Sequence, residues 1–301
     1  MDKKSNVLMS VYSIKDLEHL SGIKAHTLRI WEQRYNILAP ERTESNIRLY
    51  NDLDLKLILN ISLLKDNGYK ISSIAKMSED EMRREVMSIT EKSTRYEDQI
   101  HALTLAMIDL DEERFEKVVS TNALQMGFER TMFNVIYPFL SKIGVLWQTG
   151  GIGPSQEHFI SNLIRQKLIV AIDGQVYEKQ PNSKKYLLFL PEGELHELSL
   201  LFACYIIKSR NHKTIYLGQS LPFEDLQEAY RIHRPDYILS IITSTPGQDA
   251  IQGYVNKLGT HFPEALVLLS GAQVVAQGLD APDNVLIMNK IQDWIRFVEG
   301  S

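Results

Sequence analysis

Cysteine is almost missing from this chain. The single one, Cys204, lies in the apolar run LSLLFACYII, where it reads as a small buried hydrophobe, so no disulfide framework exists. No apolar run approaches the roughly twenty residues of a membrane span. The opening MDKKSNVLMS has no signal-peptide core, so a cytoplasmic protein without a membrane partner is expected. A surplus of positive charge is absent too: 33 Lys and Arg against 38 Asp and Glu leave a formal net charge of -5, which excludes a general polyanion binder. Affinity for nucleic acid must then reside in local basic clusters. No Ser-His-Asp, Cys-His or paired-carboxylate constellation stands out, and an enzyme is not expected.

The most telling segment that is present spans residues 11–50, VYSIKDLEHLSGIKAHTLRIWEQRYNILAPERTESNIRLY. Ser13 caps a first helix, Asp16 suits the positive end of its dipole, and Ile14, Leu17 and Leu20 share a face. Ser21-Gly22 supplies a turn, Ile23 plugs the angle, and a second helix follows over about 24–34. Lys24, His26, Thr27 and Arg29 fall on its early turns, where a recognition helix meets bases and phosphates, while Leu28 and Trp31 face the core. After Pro40 a polar, basic hairpin turns at Ser45-Asn46, and the guanidinium forks of Arg42 and Arg48 suit phosphates.

The run WEQRYNILAPERTESNIRLY resembles the MerR family of winged-helix regulators, through Trp31-Glu32, Arg34-Tyr35, Pro40, Arg42 and the Arg48-x-Tyr50 ending. The resemblance implies operator DNA as partner. It sets Lys24, His26, Thr27, Arg29, Arg34, Arg42, Arg48 and Tyr50 as candidate contacts. A helix capped at Asp52 and stopped by Gly68, then a short one over 71–77, complete a DNA-binding domain at 1–78.

Helical periodicity then continues. Residues 79–94 read as a linker helix and 95–178 as a four-helix bundle, with segments over 111–122, 127–146 and 155–177. Past Asn182 the period changes. Apolar runs YLLFLPEG, KTIYLG, DYILSIITST, ALVLLSG and DNVLIMN alternate with amphipathic stretches, which predicts a doubly wound parallel sheet over 179–301. Ligands in such folds sit beyond the carboxyl ends of the strands. The first such loop carries Glu194-Leu195-His196-Glu197. By spacing alone His196 is either a solvated or capping residue, or a metal ligand whose tautomer an acidic neighbour fixes.

GELHELSLL, YLGQSLP, ILSIITSTP and LLSGAQ, in that order, resemble the cobalamin-binding Rossmann-like domain. Upstream, LWQTGGIGPSQEHF resembles the bundle cap of the light-responsive, adenosylcobalamin-binding MerR-type repressors. These resemblances imply a multidomain α and α/β chain: winged helix-turn-helix, four-helix bundle and Rossmann-like sheet, with adenosylcobalamin between bundle and sheet controlling a dimer or tetramer. They make His196 the lower cobalt ligand and Glu194 its partner. Trp147, Glu157 and His158 would meet the upper axial group, with Ser240, Ser244 and Gly271 near the corrin or its nucleotide tail. Ser240 and Ser244 read equally as strand-end hydrogen bonding.

Three positions depart from that pattern. Ser199 and Ser270 replace glycines, which narrows the room for the cofactor. Gln148 replaces the histidine that follows the bundle Trp and captures cobalt after light; its amide oxygen is a much poorer ligand than imidazole. The two serines point to a second reading, a cofactor-free regulator whose C-terminal domains mediate oligomerisation or partner binding.

Overall fold

The computed structural model describes residues 11–92, 95–149, 152–178, 180–275 and 277–300. They form two compact units that divide between Leu163 and Ile164.

The first unit begins with helices α1 (Ile14–Ser21) and α2 (Ala25–Tyr35). Ser13 and Asp16 cap α1 reciprocally: the Asp16 amide donates to the Ser13 hydroxyl at 3.3 Å, and the Ser13 amide to the Asp16 carboxylate at 2.7 Å. Gly22 ends α1 at φ 74°, a left-handed angle that costs a side chain strain. Leu17, Leu20, Ile23, Leu28 and Trp31 are buried, as the spacing predicts. Strands β1 (Glu41–Arg42) and β2 (Arg48–Leu49) make the antiparallel wing, and Tyr12 bridges to Tyr50 beside it. Helix α3 (Asp52–Asp66) starts from Asn51, not from Asp52 as the sequence suggests. The Asn51 side-chain oxygen accepts the amides of Leu53 and Asp54, because an N-cap must stand two or three residues before the donors it serves. Helices α4 (Ile71–Ile74) and α5 (Glu79–Lys92) follow.

The bundle comprises α6 (Tyr96–Asp109), α7 (Glu112–Met126), α8 (Phe128–Thr131), a wide π turn over Met132–Ile136 running into α9 (Tyr137–Thr149), and α10 (Pro154–Asp173). The single helix expected over 127–146 thus carries a bulge. Pro138 has no amide to donate, and a wider turn just before it accommodates the missing bond. Helix α10 crosses the division between the units.

The second unit is the doubly wound sheet. Its elements are β3 (Lys185–Pro191), α11 (Leu198–Ser209), β4 (Lys213–Leu221), α12 (Phe223–His233), β5 (Tyr237–Ile241), α13 (Gln248–His261), β6 (Leu266–Ser270), α14 (Ala272–Val275), β7 (Val285–Ile287) and α15 (Ile291–Gly300). All pairings are parallel, in the order β4-β3-β5-β6-β7. Leu187, Phe189, Ile238, Ile242, Val267 and Leu269 form one core with Leu226, Val255 and Phe262. Leu188, Leu190, Leu239 and Leu268 are buried as well, the result of covering both faces of an apolar strand. Strand order reverses between β3 and β5, so the loops that follow these two strands open at the switch point where such sheets bind ligands. Among the described residues no helix is long and apolar enough to cross a membrane.

Candidate functional site

The loop after β3 carries His196 at this switch point. Gly193 takes φ 81° there and donates its amide to the Ser220 hydroxyl at 3.0 Å. Glu194 follows, fully buried, and collects the turn that follows β5: its Oε2 accepts the amides of Thr243 at 2.9 Å, Ser244 at 2.6 Å and Thr245 at 3.1 Å. Its Oε1 lies 2.6 Å from His196 Nδ1 and accepts the His196 amide at 3.0 Å. Burial by itself raises a carboxyl pKa, but the Ser244 amide, the His196 ring and the His196 and Thr245 amides outweigh it and hold Glu194 down at about 2. An ionised carboxylate accepts and does not donate, so the proton of a neutral His196 sits on Nδ1. Nε2 then presents a lone pair on a side chain that is 62% exposed.

Ser244 belongs to this arrangement directly, its hydroxyl donating to Glu194 at 3.2 Å. Ser240 is buried, and its hydroxyl has no hydrogen-bond partner among the described residues. Ser270 is tied down, donating to the Met288 carbonyl at 2.9 Å, and Ser199 lies half-buried in the first turn of α11. Gly271 has a cause within the fold: at φ 103° a Cβ would stand 2.3 Å from the Ile242 carbonyl oxygen. A glycine is required there by backbone approach to β5, whatever the ligand.

The two partners of Glu197, Arg165 and Tyr216, carry no signal in the sequence. Glu197, directly after His196, is buried and accepts from the Arg165 guanidinium of α10 and from the Tyr216 hydroxyl of β4 at 3.2 Å. The only trace in the sequence is an acidic residue opening an otherwise apolar helix. Its partners lie 32 and 19 residues away, and local spacing cannot locate them.

On the first unit, Glu157 and His158 occupy the first turn of α10, with Glu157 Oε2 3.0 Å from His158 Nδ1 and the imidazole largely exposed. Trp147 and Gln148 fall on α9, but their side chains lie outside the described residues.

The head presents Lys24, His26, Arg29, Arg34 and Arg42 on its surface, with Thr27 half-buried. Lys24 pairs with Glu18 at 3.1 Å. Glu32 gathers the wing: Arg48 Nε donates to it at 2.9 Å, and Arg42 reaches its other oxygen at 3.5 Å. Tyr50, counted with the DNA contacts by sequence, is instead a core residue, 2% exposed, its buried hydroxyl without a hydrogen-bond partner among the described residues. Its backbone bridge to Tyr12 turns the ring inward, and burial raises its pKa.

Comparison with known proteins bears on both units. Residues 12–81 match the MerR HTH family regulatory protein model, and residues 99–171 the B12 binding domain model. The HTH-type transcriptional repressor CarH of Myxococcus xanthus is 27% identical over 298 residues, 95% of this chain and 97% of the relative. CarA, a repressor of the same organism, is 27% identical over 230 residues, 75% of this chain and 74% of the relative. Among solved structures, the monomethylamine corrinoid protein of Methanosarcina barkeri has 11% identity and a TM-score of 0.48, over 72% of this chain and 97% of that one.

Proposed function

From a chain that joins a MerR-type helix-turn-helix domain to a B12 binding domain, we propose a cytoplasmic transcriptional repressor, not an enzyme, that binds operator DNA and takes adenosylcobalamin as its signal. His196 carries this reading: an exposed imidazole whose Nδ1 is held 2.6 Å from a buried carboxylate, with Nε2 presenting its lone pair. The residues fit the group. Imidazole is a good cobalt ligand, and a hydrogen-bonded carboxylate behind it raises its basicity and fixes its orientation. One imidazole holds a free ion poorly; it suits a metal that arrives with its own equatorial ligands. Among the described residues no cluster of three His, Cys, Asp or Glu side chains forms a site for a bare ion.

His196 would ligate the cobalt, with Glu194 and Ser244 orienting its ring. Trp147, Glu157 and His158 would meet the adenosyl group, and the Ser240 hydroxyl would donate to the nucleotide tail. The adenosyl form, when bound, supplies a carbon–cobalt bond that light cleaves. The chain's own residues then set the output. Occupancy shifts a dimer or tetramer equilibrium, and operator affinity follows because paired half-sites multiply the weak binding of one small head.

The test is a spectrum. Wild-type protein mixed with excess adenosylcobalamin in the dark and freed of unbound cofactor is expected to stay coloured, and His196→Ala to lose or shift the bands. Colourless wild-type protein rejects the cofactor and leaves the cofactor-free regulator standing.

A further inference from the structure

We propose that Arg165, Glu197 and Tyr216 form a positioning clamp that holds the His196 imidazole in place as a cobalt ligand. This inference rests on the reading of His196 as a cobalt ligand and deepens it.

The loop is secured residue by residue on the side before His196. Gly193 donates to Ser220, the Glu194 carbonyl accepts the Ser220 amide at 3.2 Å, and the Leu195 carbonyl accepts Gln219 Nε2 at 2.7 Å. The Glu194 carboxylate holds the imidazole itself. On the other side the chain enters α11 at once, with Glu197 in the N-cap position but making no side-chain cap. Its carboxylate points elsewhere, to Arg165 on one oxygen and Tyr216 on the other.

A carboxylate whose side chain is 9% exposed is costly to bury unless it is paired and hydrogen-bonded. Here the cost is met by one cation and one hydroxyl. The pairing raises the pKa of Arg165; burial first, and the facing Glu197 charge second, raise that of Tyr216. Removing the cation leaves a buried charge with a single hydroxyl partner, and the side chain must swing out or turn to a new partner. Either way the backbone directly after His196 loses its anchor, and the ring samples a larger volume. The local concentration of Nε2 at the metal position falls accordingly.

The readout is the axial bond itself. Protein carrying histidine labelled with heavy nitrogen is loaded with cob(II)alamin, and the electron paramagnetic resonance spectrum is recorded. An axial label splits each line into a doublet, whereas unlabelled nitrogen from the cofactor's own base gives a triplet. Wild type is expected to give the doublet. Arg165→Met is expected to weaken the histidine-on equilibrium by about tenfold, leaving a mixed spectrum. Arg165→Lys, which keeps the cation, restores much of the doublet. Tyr216→Phe removes one hydrogen bond and gives a smaller loss; it decides the matter if Arg165→Met does not fold. Helical circular dichroism and melting temperature accompany each sample, since a merely structural pair would change those and leave the splitting alone. A full doublet in folded Arg165→Met, or in Tyr216→Phe where that variant must decide, overturns the clamp while His196 ligation stands. A wild type without the doublet overturns the ligand reading and the clamp with it.

Discussion

His101 is the clearest titratable anomaly in the first unit. It lies on α6, almost wholly buried, with Nδ1 lacking a hydrogen-bond partner among the described residues. Burial, followed by the positive charges of Lys142 and Arg95, lowers its pKa to about 4. The unfolded chain takes up this proton near ~6.5, so between those values the unfolded state binds more protons than the folded one. Stability is therefore complete above about pH 6.5 and declines as the pH falls toward about 4, by roughly 2 kcal/mol at about pH 5. Urea unfolding at about pH 7 and about pH 5 should show this loss, and His101→Leu should shrink it. An equal loss in the variant places the sensitivity at another group. Glu194 and Tyr50 teach a related lesson: one carboxylate is buried because many donors surround it, and one phenol because its ring serves the core.

At the scale of elements, the wing behaves as a brace as much as a contact surface. Arg48 is largely covered and its Nε is engaged with Glu32 of α2, while Arg29 stands exposed on the same helix. Each phosphate contact adds about 0.9 to the slope of log affinity against log salt. Arg29→Ala is therefore expected to weaken operator binding and reduce that slope by about one. Arg48→Ala should weaken binding about tenfold by loosening the wing, with the slope little changed, because Glu32 already neutralises the lost charge. Filter binding or fluorescence anisotropy across a salt series separates the two. A slope reduced equally by Arg48→Ala would make that guanidinium a phosphate contact, as the sequence alone suggests. Helix α3 provides a stability counterpart: Asn51→Ala removes the acceptor for two amides and should cost about 1 kcal/mol, measurable as a shift in the melting temperature.

For the whole molecule, the prediction concerns assembly. With adenosylcobalamin in the dark, gel filtration with light scattering should give a larger species than the free chain, with operator affinity raised by tenfold or more, roughly the gain that paired half-sites supply. Illumination should reverse both. The Gln148 amide is a poor cobalt ligand, so the illuminated protein should not trap the cofactor by a second axial bond. A mass and an operator affinity that ignore cofactor and light reject oligomeric control without touching the spectral test of binding.

The helix-turn-helix, the bundle helices and the alternating strands are all legible in the sequence. Caps, turn glycines and hydrophobic period act between residues at most a few places apart, and each segment carries its own signal. The imidazole with its nearby carboxylate was legible for the same reason, at a separation of two. What decides the geometry of the His196 loop lies far away in the chain. The turn that follows β5 delivers three amides to Glu194, α10 delivers Arg165, and β4 delivers Tyr216. Likewise only the folded head shows Arg48 committed to Glu32 and Tyr50 turned inward. Burial and long-range pairing belong to the packed chain, because a side chain's solvent and its partners are set by which elements close over it. Local sequence named the groups proposed to meet DNA and cobalt; the tertiary structure decided which of them stand exposed and which are tied to one another.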